Sequence, residues 1–174
     1  MNRPGIGTLL RVALALTLTG CGMNSPKPEG TRAVDDVKSA AEKTSSRILD
    51  IIAVKGAVSE PGPGVTICEG ADPGRLFTVY HPWSITGSSD EELGKAMRRL
   101  KSELPGEGWE IVQYGPNSSR DKTLELTADH AEKKLGLNVE LWEQSEGEDG
   151  KPKLIVNVIS ACYQAPDGEE VDYS

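Results

Sequence analysis

The sequence predicts an α+β fold, an antiparallel sheet of about five to six strands with two helices packed on one face. Three observations carry this. Val34 to Ile51 and Leu93 to Leu104 repeat apolar residues every three or four positions. Other stretches alternate apolar and polar residues. After Pro105 the alternating stretches follow one another with no helix between them, an order that sets helices beside an antiparallel sheet.

Val34, Val37, Ala41, Thr44, Ile48 and Ile51 form one helical stripe, and most of the charged residues between them fall off it. Asp35 and Asp36 favour the positive end of the helix dipole. The stripe fits a helix packed on the domain, and its small residues also leave open a stalk or partner-binding helix. Glu60-Pro61-Gly62-Pro63-Gly64 breaks the chain, and Val65 to Cys68 reads as a short strand. Gly70 to Gly74 is a turn. Leu76 to Ile85 is a strand that places Phe77, Val79, His81, Trp83 and Ile85 on one face. Pro82 has no backbone N–H, so this strand is expected at a sheet edge, or bent there.

Ser89 and Glu92 have capping-box spacing, and Leu93, Ala96, Met97, Leu100 and Leu104 follow at helical steps. Pro105-Gly106 stops that helix. Trp109 to Tyr114 is a strand and Gly115-Pro116-Asn117 a turn. Leu124/Leu126/Ala128, Leu137/Val139/Leu141 and Leu154/Val156/Val158 each alternate with polar residues. The segment Gly147 to Lys151 joins the last two as a hairpin. Glu125, Glu140 and Glu143 take polar positions, which predicts a solvated, acidic sheet face.

The first twenty residues read as a secretory signal peptide. Arg3 and Arg11 precede the apolar run Val12 to Leu18, which is too short for a bilayer that takes about 20 residues. Leu18-Thr19-Gly20-Cys21 resembles a bacterial lipobox. That resemblance implies cleavage before Cys21 and a diacylglyceryl, palmitate-type anchor on its sulfur. Two acyl chains hold stably, at about 0.8 kcal/mol per buried CH₂. An ordinary secreted protein with a chance cysteine is the alternative. The expected organisation is signal peptide 1–20, lipidated Cys21 and flexible tether 21–31, and one extracytoplasmic domain 32–174 with an acidic C-terminal tail. The tether reading rests on Asn24 to Gly30, rich in Ser, Pro and Gly.

The 174 residues fit one domain. Their net charge is −8, and losing Arg3 and Arg11 leaves 17 basic against 27 acidic side chains, a balance of −10. Such a chain lacks the basic footprint nucleic acid requires. With a single Phe it also lacks an aromatic stacking surface for single strands.

With Cys21 assigned to the anchor, Cys68 and Cys162 remain, an even pair in an oxidising compartment and most simply one disulfide. A catalytic thiol is the sharper alternative and needs a partner histidine. His130 lies in Asp129-His130-Ala131-Glu132, where metal ligation would want further convergent ligands; an exposed turn is the plainer reading. His81 reads as a core or edge imidazole. Trp142 falls on the Asn138/Glu140 side of its strand, where an exposed indole beside acids contacts a sugar or a protein, unless a helix covers it. No G-x-S-x-G, EF-hand or phosphate-binding glycine loop is present in the sequence. The sequence therefore predicts no catalytic residues, metal or cofactor, and offers His81, Trp83 and Trp142 as ligand contacts.

The lipobox, the Pro-rich tether, Gly108-Trp109 after a Glu-rich helix, and the terminal Ser160-Ala161-Cys162 together resemble small actinobacterial envelope lipoproteins of the LppA-like kind. The resemblance outside the lipobox covers about residues 88–164 and is one of layout. It implies envelope location and an α+β fold. The expected function is a non-enzymatic binding or scaffolding module, anchored at the outer face of the cell membrane and meeting an envelope protein partner. A receptor or accessory enzyme acting on envelope glycans is the alternative, and a pocket gathering His81, Trp83 or Trp142 would favour it.

Overall fold

The computed structural model describes residues 27–59, 61–71, 74–143 and 150–173. The segment expected to be a signal peptide, Cys21, the start of the expected tether and most of the expected 147–151 turn lie outside the described residues. In chain order the elements are α1 (Val34–Ile52), β1 (Ala57–Val58), β2 (Gly64–Ile67), β3 (Leu76–Thr86), α2 (Asp90–Glu103), a 3-10 turn (Leu104–Glu107), β4 (Glu110–Pro116), β5 (Leu124–His130), β6 (Leu135–Trp142), β7 (Lys153–Ser160) and β8 (Tyr163–Gln164). The fold is α+β. Its antiparallel sheet has eight strands, in the order β1-β3-β7-β6-β5-β4, with β2 and β8 also paired to β3. The strands beyond the expected five to six are β1 and β8, two residues each, too short to show an alternating pattern.

Alternation places the core. Trp83, Val156, Val139 and Leu126 are register partners across four strands, and all are buried. So are Ile85, Leu154 and Leu141 in the neighbouring row. Val37, Ala41, Ile48, Ile51 and Ile52 of α1, with Leu93, Ala96, Met97 and Leu100 of α2, join the same cluster. The intervening strand positions are half-buried or exposed.

The expectation of an edge strand at Pro82 is corrected. β3 lies inside the sheet, paired along one side with β7 from Tyr80 to Thr86. Its other side is shared by two short strands: β2 pairs with Phe77 to Tyr80, and β1 with Ile85 and Thr86. Val79 N–H donates across to Ser160 Oγ of β7, whereas Ser84 N–H donates to Ser59 Oγ just past β1. Backbone N–H groups alternate in direction along a strand, so a donor at position 82 would point into the gap between β1 and β2. The proline costs no ladder hydrogen bond there.

The helices end differently. α2 carries the expected capping box: Ser89 Oγ accepts from Glu92 N, and Glu92 Oε2 accepts from Ser89 N. α1 begins at Ala33, which has no capping side chain. Its first N–H, on Val34, instead donates to Glu169 Oε1 at 2.9 Å, from the acidic C-terminal segment. That segment folds back onto the start of β3, with Asp167 paired to Arg75 and the Tyr173 hydroxyl donating to the Gly74 carbonyl. At the other end of α1, Ala53 adopts a left-handed φ of 46°, and Arg99 of α2 donates to the carbonyls of Ile51 and Ile52.

The Cys68–Cys162 disulfide is present, with Cα atoms 5.6 Å apart and a sequence separation of 94. It joins the end of β2 to the link between β7 and β8. In the chain-entropy model a loop of this size contributes up to about 4.7 kcal/mol. Beside it the last tether residues are held: Glu29 N–H donates to the Cys162 carbonyl, and Gln164 N–H to the Gly30 carbonyl.

Two substitutions test the capping of α1. Glu169→Ala removes its N-terminal acceptor and is expected to lower unfolding free energy by about 1 kcal/mol, measured in urea. Ala53→Gly relieves the left-handed residue and is expected to raise it by about 0.5–1 kcal/mol. A stabilising Glu169→Ala or a destabilising Ala53→Gly would contradict these roles.

Candidate functional site

Helical spacing puts Glu42, Ser45, Ser46 and Leu49 on one side of α1, and strand alternation puts His81 and Trp83 on one side of β3. Between them, where β1 and β2 part at Pro82, lies an open cavity of about 470 Å³ lined also by Val58, Ser59 and Gly62. Its size falls within the range of small-molecule sites, about 300–1,000 Å³.

The polar groups of this cavity are arranged unequally. Ser45 is 4 % exposed, and its Oγ lies 2.9 Å from His81 Nδ1. Ser46 Oγ donates to the Glu42 carbonyl, and Ser59 Oγ accepts from Ser84 N–H. Trp83 is buried, and among the described residues its indole Nε1 has no hydrogen-bond partner. A buried donor without an acceptor costs about 1–3 kcal/mol. Ser45 and His81 meet the distance for a nucleophile and its base. Ser45 nevertheless lies within α1, where backbone N–H groups are engaged in the helix ladder and cannot serve as oxyanion donors. The arrangement suits holding a polar molecule better than acyl transfer.

Of the expected contacts, His81 and Trp83 are brought together and Trp142 is kept apart. Trp142 lies on the opposite side of the sheet from the buried row. Its Nε1 donates to Glu140 Oε2 at 2.8 Å, and Lys153 Nζ sits 5.0 Å from the ring centroid. Glu125 and Glu140 are register partners on that same side, where Glu125 accepts from Asn138 and Gln113. Tyr80 and Ile159, also paired in register there, are both exposed. Ser45 was missed by the sequence reading. It lies four residues after Ala41 and three before Ile48, a polar residue on the buried face.

His130 is not in an exposed turn. It ends β5, is 5 % exposed, and stands edge-on to Trp109 with ring centroids 5.2 Å apart. Its Nδ1 accepts from Lys133 N–H at 3.4 Å. Gly108 runs beside it with a φ of 87°, and a Cβ there would crowd the imidazole at 3.2 Å. Burial, and after it the nearby Lys133 ammonium, push the His130 pKa below its usual 6.5. Among the described residues, no group of three or more His, Cys, Asp or Glu gathers as a metal site, and no helix is long and apolar enough to cross a membrane.

Comparison of the chain with known protein families, with curated proteins and with solved structures finds no match. The functional reading therefore rests on the site geometry and on the N-terminal sequence.

The His130 shift has a definite sign. Just below 6.5 the folded chain favours the neutral ring more than the unfolded chain does, because burial and the Lys133 ammonium disfavour the imidazolium. The stability that His130 contributes is full above 6.5 and falls as the pH drops through the folded value, below which both states are charged. His130→Gln is expected to show a shallower loss of unfolding free energy than wild type over that window. Equal slopes in parallel urea titrations would contradict the assignment.

Proposed function

We propose that the protein is a lipid-anchored, non-enzymatic binding module at the extracytoplasmic face of a bacterial cell membrane, and that the cavity between α1 and β3 receives its ligand. The observation that carries this is the meeting of His81 and Trp83 with Ser45 in one cavity. The aromatic wall, the serine hydroxyls and the Glu42 carboxylate suit a hydroxyl-rich molecule such as an envelope glycan fragment. Localisation is supported by the lipobox around Cys21 and by the disulfide, which an oxidising compartment favours.

A protein partner is the second reading. It is favoured by the exposed pair Tyr80 and Ile159 on the other side of the sheet. Under it, binding would survive changes in the cavity.

The test is a titration with N-acetylated disaccharides, followed by indole fluorescence and amide shifts. Binding is expected with the wild-type chain, to weaken about tenfold in Ser45→Ala and in Trp83→Phe, and to persist in Trp142→Phe. No response to any disaccharide, or equal binding by all variants, would overturn the cavity assignment. For the anchor, Cys21→Ala is expected to leave the membrane fraction; a fully membrane-bound, correctly sized Cys21→Ala form would overturn it.

A further inference from the structure

On the neighbouring side of α1 lies a second hollow, of about 370 Å³, and its chemistry is opposite in sign. Arg32, Lys43, Arg47 and Lys133 line it, with Glu132 as the single carboxylate of the lining. This happens in a chain whose net charge is −8. Arg47 is engaged by Glu107 and lies 4.0 Å from Asp50. Among the described residues, Arg32, Lys43 and Lys133 have no salt bridge. The Arg32 guanidinium instead rests 5.4 Å from the centroid of the Tyr163 ring, which orients it over a buried aromatic.

Cations gathered around one concavity repel each other, and an acidic protein has carboxylates to spare for neutralising them. Glu107, already bonded to Arg47, also lies within electrostatic reach of Lys133, yet four cations against Glu132 and Glu107 leave the hollow an excess of positive charge against the field of the whole chain. A phosphate ester is the anion that such a set fits: compact, doubly bonded by guanidinium groups and tolerant of point-charge lysines.

Position selects the source. Arg32 is in the segment by which the chain enters the domain, and its N–H donates to the Gln164 carbonyl of β8. From Cys21 to Lys27 is a step of six residues, at most about 20 Å when fully extended. If Cys21 is acylated, this hollow lies close to the bilayer. We infer that the hollow formed by Arg32, Lys43, Arg47 and Lys133 binds the phosphate of an anionic lipid headgroup and seats the domain on the membrane. The choice of a lipid source rests on the anchored reading of Cys21. The cavity at His81 has no part in it.

The experiment uses the chain from position 21 onward carrying Cys21→Ala, so that neither the apolar segment with Arg3 and Arg11 nor acylation contributes to the readout. Cosedimentation is measured with phosphatidylglycerol vesicles and with phosphatidylcholine vesicles. Soluble sn-glycerol 3-phosphate is titrated separately by amide shifts. The expected result is a preference for phosphatidylglycerol, against the net charge, that weakens as salt rises. Lys43→Glu and Lys133→Glu are each expected to reduce that preference about tenfold. Lys43→Gln should reduce it less, and Arg120→Glu, on the exposed β4–β5 loop, should leave it unchanged. Thermal melts of each variant separate loss of binding from loss of fold. Equal binding to both vesicle types, or equal loss in Arg120→Glu, overturns the inference. Binding of glycerol phosphate at this hollow without vesicle preference overturns the membrane source and leaves a soluble phosphate site. Failure of Cys21 acylation in cells would not change the vesicle result, so the two readings fail separately.

Discussion

Pro82 removes one backbone donor from the longest strand of the sheet, and much of the architecture depends on where that loss falls. A proline inside a strand is tolerable only if its nitrogen faces no partner. Here the partner on that side is divided: the pairing with β2 ends at Tyr80 and the pairing with β1 begins at Ile85. The division leaves a break between two short strands, and α1 lies across it through the Ser45–His81 hydrogen bond. The α1–β3 cavity is the space left by that break. A structural requirement of one imino acid thus places a concavity beside an imidazole and an indole.

α1 is the second element on which much converges, and both of its ends draw on side chains from elsewhere in the chain. Glu169 supplies its N-terminal acceptor and Arg99 its C-terminal donor. The C-terminal segment is held in turn by Arg75 and by Tyr173 on Gly74. The disulfide fixes the β7–β8 link beside the entering chain. Both termini of the domain are therefore tied to the strand–helix layer that forms the two hollows. The sheet is tied to the C-terminal end as well, because β8 pairs with the start of β3 while β7 pairs with it from Tyr80 to Thr86.

The sequence showed the long, periodic elements well. The Ser89/Glu92 box, the Leu93–Leu100 stripe and the alternation of β5, β6 and β7 are local signals, and local physics decides them. The disulfide was legible by counting cysteines, although only the fold brings Cys68 beside Cys162. Three features were not legible. β1 and β8 are two-residue strands recruited by β3, so their signal lies in their partner. The placement of Pro82 inside the sheet depends on β2 ending where it does. The burial of His130 depends on Trp109 and Gly108 arriving from the other side of the 3-10 turn. The candidate site was half legible. Alternation gave His81 and Trp83 a common side and gave Trp142 the other parity. Ser45 and Glu42 come from a helix whose contact with β3 spans about 35 residues of chain, beyond the reach of periodicity.

The two hollows also differ in a way that bears on how they would work together. Residues 42, 45, 46 and 49 of α1 face one, and residues 40, 43, 44 and 47 face the other. Successive residues turn by about 100° on a helix, so these sets occupy adjacent sides of one rod. An occupant of either hollow therefore leaves the other side of α1 uncovered. A domain seated through its basic side would keep the His81–Trp83 cavity open to the envelope, with α1 in contact with both.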